Sequence, residues 1–362
     1  MTAAADARFM ALALALGRRG MGQVWPNPAV GCVIVKDGVI VGRGATQRGG
    51  RPHAERVALE QAGDAARGGT VYVTLEPCAH TGKTPPCADA LIAAGVARVV
   101  VAIGDPDPRV AGQGLVRLRE AGITVELGLM QAEAARDHAG FLSRVTQGRP
   151  FVTLKLANSL DGRIATASGE SRWITGPQAR RAVHALRARH DAVLVGAGTA
   201  RSDDPMLDVR DLGEVRQPVR VVISRDLHLP INGRLAQTAR AQPVWLCHGP
   251  DADTRDWIKA GVQTLECTVT HHRIDTLSVL RALADRGITR VLCEGGGHLA
   301  ASLLQARLVD ELVVMQAGVA IGADGLPSLS GLGVQELQDA PRFTLTDVSA
   351  IGGDVLQYWR PA

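Results

Sequence analysis

Three short segments of the chain carry residues whose types and spacing suit metal chemistry. They read Pro52-His53-Ala54-Glu55, Pro77-Cys78 and Pro86-Cys87. One imidazole and two thiolates are a normal zinc ligand set that leaves one coordination position open for water. A carboxylate two residues after the histidine can move protons between that water and a leaving amine. The pattern predicts a zinc-dependent deaminase site with ligands His53, Cys78 and Cys87 and with Glu55 as the catalytic group.

The elements around these segments are expected to bring the ligands together. Side chains two residues apart point to different faces in the middle of a helix. At the first turn of a helix that starts near His53, however, the imidazole can bind metal while Glu55 reaches the water. Cys78 follows a β-branched strand, and Cys87 opens a helix, where the helix dipole favours a thiolate.

The spacing of the two cysteines departs from the general deaminase pattern. That pattern has two residues between the cysteines, whereas residues 79–86 separate them here. The insert contains Gly82 and Lys83. We interpret it as a loop that contacts substrate, with Lys83 meeting an anionic group. A solvated surface lysine is the alternative, and spacing does not choose between the two.

The same cysteines and histidine also fit roles outside catalysis. A single cysteine is most often a small buried apolar residue. A closed structural zinc site is the stronger rival, because His80 could supply a fourth protein ligand. The sequence pattern favours the open catalytic site and leaves the closed one as the alternative.

Alternating strands and helices predict two α/β domains. In residues 1–147 the pattern indicates a mostly parallel sheet in a three-layer arrangement. A second domain is expected to begin near Gly148-Arg149-Pro150 and to fill residues 148–362. Its strands are expected near 151–156, 192–195, 219–224, 244–247, 290–293 and 311–316, with a loop at 158–163.

Composition gives little support to binding of nucleic acid or of a membrane surface. The net charge of +4 is spread along the chain without a block of lysine and arginine, and aromatic residues are few. No run approaches the roughly 20 apolar residues of a membrane span. With six cysteines in a large chain that lacks secretory features, we expect a reduced, soluble, cytoplasmic protein.

The first half resembles the RibD family of bifunctional riboflavin-biosynthesis deaminase–reductases. The resemblance rests on Asn27-Pro28-Ala29-Val30-Gly31, on Pro52 to Glu55, on the long stretch from Glu76 to Cys87, and on Asp105-Pro106-Asp107-Pro108. It implies a cytidine-deaminase-like fold, one Zn²⁺ per chain, and substrate contacts by Asn27 and Lys83. Thr46 stands where the family usually has His, and Asp107 where it usually has Asn; both positions are expected beside the substrate.

The second half resembles the reductase domain of the same family. Matching stretches include Leu154-Lys155-Leu156-Ala157, Ser171-Arg172-Trp173, Val195 to Thr199 and Glu294-Gly295-Gly296-Gly297. The resemblance implies a dihydrofolate-reductase-like fold that uses NADPH. It places the cofactor against Ala157, Trp173, Thr199, Asp203, Ser224, Gly295, Gly296, Gly297, His298 and Leu299. It places the substrate against Lys155, Ser171, Arg187, Leu207, Arg210 and Glu294.

Physical reasoning supports part of this second site. Glycines between a strand and a helix can cradle a pyrophosphate on backbone amides, although such a turn is often only a tight connection. Its spacing is not the Rossmann fingerprint. Arginine suits phosphate recognition, but without the resemblance the preferred interpretation of Arg187 and Arg210 is a solvated cation on a helix or loop, and Trp173 could equally be core packing.

The resemblance implies two reactions on phosphorylated pyrimidines. Zinc-bound hydroxide would deaminate 2,5-diamino-6-ribosylamino-pyrimidinone 5′-phosphate at C2, with Glu55 as proton shuttle. NADPH would then reduce the ribosyl side chain to ribityl. A homo-oligomer, dimer or tetramer, is also implied. The alternative is a nucleic-acid base deaminase with an RNA-binding second half, for which no basic stripe or stacking aromatics are visible.

Overall fold

The chain forms two compact units, Met1–Gly148 and Arg149–Ala362. The structure is a computed structural model and describes residues 2–80, 85–108 and 110–362. Lys83 lies outside the described residues.

The first unit is built on a five-stranded sheet of order β2-β1-β3-β4-β5. Its strands are β1 (Gly31–Lys36), β2 (Val39–Ala45), β3 (Thr70–Val73), β4 (Arg98–Val101) and β5 (Thr124–Leu127). β1 is antiparallel to both of its neighbours, while β3, β4 and β5 pair in parallel. The strands β2, β3, β4 and β5 therefore run in one direction and β1 runs in the opposite direction. The connection from β2 to β3 crosses β1.

Helices cover both faces of this sheet. They are α1 (Ala3–Arg18), α2 (Ala54–Ala62), α3 (Cys87–Ala94), α4 (Gln113–Glu120), α5 (Gln131–Asp137) and α6 (Ala139–Gln147). Successive strand residues point to opposite faces, so Val99 and Val101 pack with α2, α3 and α4. Val100 packs with α1 and α5 on the other face. This is the three-layer arrangement expected from the sequence.

Two glycines on β2 let α2 lie directly on the strand. A Cβ at Gly44 would come within 2.0 Å of the Ala54 carbonyl oxygen, and one at Gly42 within 2.2 Å of the Ala58 carbonyl oxygen. Since real Cβ atoms do not approach that closely, only glycine fits at either position. The contact fixes the helix that begins beside His53.

The second unit contains a nine-stranded sheet of order β11-β10-β9-β8-β14-β6-β15-β18-β17. Its strands are β6 (Phe151–Ser159), β8 (Ala192–Gly196), β9 (Val219–Ile223), β10 (Val244–His248), β11 (Gln263–Glu266), β14 (Arg290–Cys293), β15 (Glu311–Ala317), β17 (Phe343–Ile351) and β18 (Asp354–Pro361). The pairs from β11 to β15 are parallel, and β18 is antiparallel to both neighbours. β14 enters the sheet between β6 and β8.

Helices pack on both faces of this second sheet as well. They are α7 (Pro177–Ala188), α8 (Ala197–Asp203), α9 (Arg234–Gln237), α10 (Arg255–Lys259), α11 (Thr276–Asp285) and α12 (Gly297–Gln305). On β14, Cys293 packs with α12 while Leu292 packs with α7. Short ladders join β12 (Val269–Thr270) to β13 (Arg273–Ile274) and β7 (Arg163–Ala165) to β16 (Leu326–Pro327). In the described parts of both units, the helices are too short or too polar to cross a membrane.

Several elements differ from the sequence-based expectation. β6 continues to Ser159 and β7 begins at Arg163, so the loop expected at 158–163 shrinks to a turn. The hairpin of β17 and β18 was not predicted. β17 is exposed along nearly its whole length at the edge of the sheet. Its apolar residues alternate from Phe343 to Leu345, but an irregularity in the pairing between Leu345 and Asp347 interrupts the period-two pattern that marks a strand.

Candidate active sites

His53 and Glu55 lie where the chain enters α2. His53 is the N-cap residue, with extended backbone angles of φ −68° and ψ 160°. Its side chain is therefore free of the helical spacing rule that separates residues i and i+2. Glu55, in the first turn, is 3% exposed. Both side chains line one cavity of about 330 Å³.

The two cysteines approach His53 from α3 and from the segment after β3. Cys87 is the first residue of α3, and its backbone amide lies 3.4 Å from the sulfur of Cys78. The amide of Ala88 donates to the Cys78 carbonyl at 3.2 Å. The N-terminus of α3 thus holds the Cys78 segment and places amide dipoles beside its sulfur.

The imidazole nitrogen of His53 lies at the distance from each cysteine sulfur that a shared zinc ion requires, and all three ligand atoms lie within 4.8 Å of one another. His53 Nδ1 lies 3.4 Å from Cys87 Sγ and 3.7 Å from Cys78 Sγ. Tetrahedral zinc, with bonds of about 2.05 Å to nitrogen and 2.3 Å to sulfur, puts such atoms roughly 3.6 Å apart. Among the described residues the ligand group is His53, Cys78 and Cys87, and His80 does not join it. The residues present therefore fit an open three-ligand site better than a closed structural one.

Hydrogen bonds, charges and burial within this cluster shift the pKa values of the ligands and of Glu55. The hydrogen bond with Cys87 lowers the pKa of the Cys78 thiol to about 4, and the same bond raises the pKa of Cys87. Hydrogen bonding to Cys78 also raises the pKa of His53. Burial, with the Cys78 charge, raises the pKa of Glu55 to about 7. A carboxyl group with such a pKa can both accept and donate a proton near neutral pH.

The cavity also contains three of the four residues expected to contact the deaminase substrate, namely Asn27, Thr46 and Asp107. The Asn27 amide donates to the Gly50 carbonyl at 2.7 Å and lies 3.4 Å from His53 Nε2. The Thr46 hydroxyl accepts from the Val30 amide at 3.1 Å, so this side chain also holds the turn after Asn27. The fourth residue, Lys83, falls outside the described residues.

Sequence reasoning missed other residues of this cavity. They include Arg51, Glu76, Asp105 and Arg144. Asp105 lies in the same motif as Asp107 and could have been chosen with it. Arg144 lies on α6, which was not predicted, and no short-range signal connects it to the metal motif.

The second unit has two adjoining cavities, of about 780 and 590 Å³. Each is of the size that ordinarily holds a small ligand, about 300–1,000 Å³. They share Lys155 and Ala157 of β6, with Thr199, Asp203 and Glu294. These residues lie on or just after the neighbouring strands β6, β8 and β14, where ligands of open α/β sheets commonly bind.

An ion pair crosses the larger cavity. Arg187 on α7 donates from Nε to Glu294 Oε1 at 2.6 Å and from Nη2 to Oε2 at 2.9 Å. Its Nη1 donates to the Asp208 carbonyl at 2.8 Å. Burial would raise the pKa of Glu294, but the charge and hydrogen bonds of Arg187, with Lys155, hold it below its usual value. Burial and the charge of Arg187 lower the pKa of Lys155.

The glycine run after β14 borders the smaller cavity. A Cβ at Gly295 would come within 2.6 Å of Val195 Cα, and Gly296 has a φ of +70°. The backbone therefore passes close to β8 and then turns directly into α12. This open backbone surface at a helix N-terminus fits a pyrophosphate-containing cofactor such as NADPH.

Most of the residues expected at the reductase site meet at these two cavities. They are Lys155, Ala157, Ser171, Trp173, Arg187, Thr199, Asp203, Leu207, Arg210, Glu294, Gly295, Gly296 and Gly297. Ser224, His298 and Leu299 do not line either cavity. The Ser224 side chain is buried after β9, and Leu299 packs against the core cluster around α12.

One face of α7 supplies residues that sequence reasoning also missed. Arg180 and His184 line the larger cavity with Arg187, at a spacing of four and seven residues. Arg180 lies over the Trp173 ring, 4.5 Å from its centroid. His184 Nδ1 lies 3.2 Å from the Arg210 amide nitrogen, next to the segment that carries Leu207. Helical periodicity counted back from Arg187 could have identified both.

Comparisons with known proteins find matches for both units of the chain. Residues 3–103 match the model of the cytidine and deoxycytidylate deaminase zinc-binding region, and residues 150–357 match the RibD C-terminal domain. The riboflavin biosynthesis protein RibD of Escherichia coli is 48% identical over 97% of this chain and 98% of its own length. RibD of Aquifex aeolicus is 39% identical over 98% of both chains.

Solved structures match over the full length. Acinetobacter baumannii RibD is 40% identical, with a TM-score of 0.92 over 100% of both chains. A diaminohydroxyphosphoribosylaminopyrimidine deaminase/5-amino-6-(5-phosphoribosylamino)uracil reductase from Thermotoga maritima is 36% identical, with a TM-score of 0.89 over 99% of both chains.

A zinc-binding deaminase region followed by a reductase domain defines a bifunctional deaminase–reductase. The chain belongs to the RibD family and is an enzyme of riboflavin biosynthesis. The expected folds, cytidine-deaminase-like and then dihydrofolate-reductase-like, are confirmed. The RibD match of the second half replaces the alternative of an RNA-binding module.

Proposed function

We propose that residues 1–147 remove the C2 amino group of 2,5-diamino-6-ribosylamino-pyrimidinone 5′-phosphate as ammonia. The observation that carries this proposal is the cluster of His53, Cys78 and Cys87 with Glu55 in the same cavity. Zinc held by the three ligands would supply a Lewis acid that makes water a nucleophile at neutral pH.

Glu55 performs the proton transfers of this reaction. It takes a proton from the attacking water as the new C2–O bond forms. It then donates this proton to the amine nitrogen as the C–N bond breaks, and the second proton of the water passes to a ring nitrogen beside C2 as the C2 carbonyl forms, so that ammonia leaves. Its buried carboxyl, with a pKa of about 7, suits both roles. Asn27, Thr46, Lys83 and Asp107 are proposed to hold the substrate.

We propose that residues 148–362 reduce the ribosyl side chain of the deaminated product to ribityl. NADPH would supply the hydride. Ala157, Trp173, Thr199, Asp203 and the glycine run are proposed to line the cofactor; Ser224, His298 and Leu299 belong to the same proposal although they lie off the cavities. Lys155, Ser171, Leu207, Arg210 and the Arg187–Glu294 pair are proposed to hold the substrate.

The test supplies the deaminase substrate and follows ammonia release and the near-ultraviolet absorbance of NADPH. Glu55→Gln should keep one zinc per chain, release no ammonia, and still oxidise NADPH when the deaminated intermediate is supplied. Substantial ammonia release by this variant would contradict the role of Glu55. Glu60→Gln, the same chemical change at an exposed position of α2, is the matched control and should behave like the parent chain.

A cytoplasmic location and a homo-oligomer, dimer or tetramer, complete the proposal. Light scattering of the purified chain measures the oligomeric state directly, and a monomer at all concentrations would contradict that part.

A further inference from the structure

Glu76 is a buried carboxylate beside the metal site that has no part in the proton transfers. It lies two residues before Cys78, is 4% exposed, and lines the deaminase cavity. Among the described residues, no arginine, lysine or histidine pairs with it within 4 Å. A buried charge without a counter-ion is costly unless hydrogen bonds compensate it.

Four backbone amides provide that compensation. Glu76 Oε2 accepts from the amides of Asp105 at 3.2 Å and of Gly112 at 3.1 Å. Oε1 accepts from the amides of Gly114 at 3.0 Å and of Leu115 at 3.4 Å. The last two amides belong to the first turn of α4, whose N-cap Gly112 has no side chain to cap them.

These contacts reach the substrate side of the cavity. Asp105 donates its backbone amide to Glu76. The side chain of the same residue accepts, at Oδ1, from the Asp107 amide at 2.9 Å. Both aspartates line the cavity that contains Glu55. Glu76 therefore connects the segment that carries Cys78 with the segment that carries the two aspartates.

We propose that Glu76 is a positioning residue for deamination. Its carboxylate holds the segment of Asp105 and Asp107 so that their side chains contact the pyrimidine ring. The inference rests on the proposed function of the first unit. It assigns to Glu76 an effect on substrate binding, since the metal ligands have their own supports in α2 and α3.

Glu76 is not needed simply to hold α4 in place, because the start of α4 has a second contact with the same segment. A Cβ at Gly114 would come within 2.0 Å of the Pro77 carbonyl oxygen, so the start of α4 packs directly on the chain next to Glu76. This contact remains when the carboxylate is changed. A neutral variant should therefore fold, with altered aspartate positions.

The test compares Glu76→Gln with Glu60→Gln, which makes the same change at an exposed position of α2. The glutamine keeps one acceptor oxygen and turns an NH₂ group toward two amide donors. To separate binding from chemistry, substrate affinity is measured by calorimetry in a Glu55→Gln background. We expect one zinc per chain in both variants. In the Glu55→Gln background, adding Glu76→Gln should weaken the affinity for substrate about tenfold, whereas adding Glu60→Gln should leave it unchanged.

Hydrogen exchange gives a readout independent of activity. The amides of Asp105, Gly112, Gly114 and Leu115 should exchange faster in Glu76→Gln, while those of β3 and α2 should not. Parent-like affinity and exchange would overturn the inference, as would loss of zinc. If Glu76→Gln does not fold, Glu76→Asp keeps the charge and shortens the reach; weaker binding with full zinc content supports the inference, and parent-like binding contradicts it.

Failure of the proposed function would look different. A parent chain that releases no ammonia would contradict the deaminase assignment. The exchange comparison would still decide whether Glu76 holds the aspartate segment.

Discussion

The carboxylate of Glu294 and the guanidinium of Arg187 meet in a two-pronged ion pair, although 107 residues separate them in the chain. The pair joins the carboxyl end of β14 to α7 across the reductase cavity. Its side chains are 9% and 13% exposed, so solvent screens it little.

We predict that breaking this pair destabilises the second unit. Arg187→Ala leaves Glu294 buried without its partner, and the free energy of unfolding should fall by about 3 kcal/mol. Four of the five tryptophans lie in this unit, so urea unfolding followed by tryptophan fluorescence reports on it. Arg181→Ala, at an exposed position of α7, should change stability by less than about 1 kcal/mol.

A double variant tests the pairing itself. Arg187→Ala with Glu294→Ala should lose less stability than the sum of the two single variants, because the second change removes a charge that is already unpaired. Strict additivity would contradict the pairing.

The pKa of Glu294 predicts an acid-dependent loss of stability. Its folded-state pKa lies below the ordinary value of 4.5, so the stability from its ionised form is present above that pH and is lost as the pH falls through the folded value. Unfolding experiments below about pH 4.5 should therefore show a decline that Glu294→Gln lessens. An unchanged pH dependence in the variant would contradict this reasoning.

Lys155 should be unusually reactive at moderate pH. Burial lowers the pKa of its ammonium from 10.5, and an amine attacks acylating reagents only when deprotonated. In competitive labelling followed by mass spectrometry, the midpoint of its reactivity should lie below 10.5, and bound NADPH with substrate should slow the labelling. The labelled peptide is identified by its loss in Lys155→Arg. A midpoint at or above the ordinary value would contradict the prediction.

Metal binding should require the thiolate of Cys87. Cys87→Ser should lower the zinc content well below one per chain and abolish ammonia release, while NADPH oxidation persists with the deaminated intermediate. The parent chain loaded with Co²⁺ should show thiolate-to-metal charge-transfer absorption that weakens in this variant. Cys32→Ser, at a buried cysteine outside the ligand group, is the matched control and should keep the absorption.

The stacking of Arg180 on Trp173 should contribute to cofactor binding. Trp173 is 70% exposed, so its ring depends on few contacts for its orientation, and the guanidinium lies over one face. A cation–π contact at an exposed site is worth about 0.5–1 kcal/mol. Arg180→Met should therefore raise the KM for NADPH roughly two- to fivefold with little change in kcat. Arg189→Met provides the control, and an equal effect there would contradict a specific stack.

The metal site could be predicted from sequence because its ligands lie beside prolines at the ends of recognisable elements. His53, Cys78 and Cys87 come from short motifs whose spacing carries the chemistry. Arg187 and Glu294 were expected near substrate, but their mutual pairing depends on the order of β14 and α7 in space. Glu76 lies in the same motif as Cys78, yet its partners are backbone amides, which have no sequence signature.

The close contact of β2 with α2 has a consequence for how this enzyme tolerates change. His53 is the N-cap residue of one short helix whose first turn carries Glu55, and the position of that helix is set by the two glycines on the strand beneath it. A methyl group at Gly44 would displace the metal ligand and the proton donor together, in the same direction. The distance between His53 and Glu55 would stay the same, while their distances to Cys78 and Cys87 would change. A substitution at either glycine of β2 would thus change the geometry of the metal ligands from a position outside the cavity.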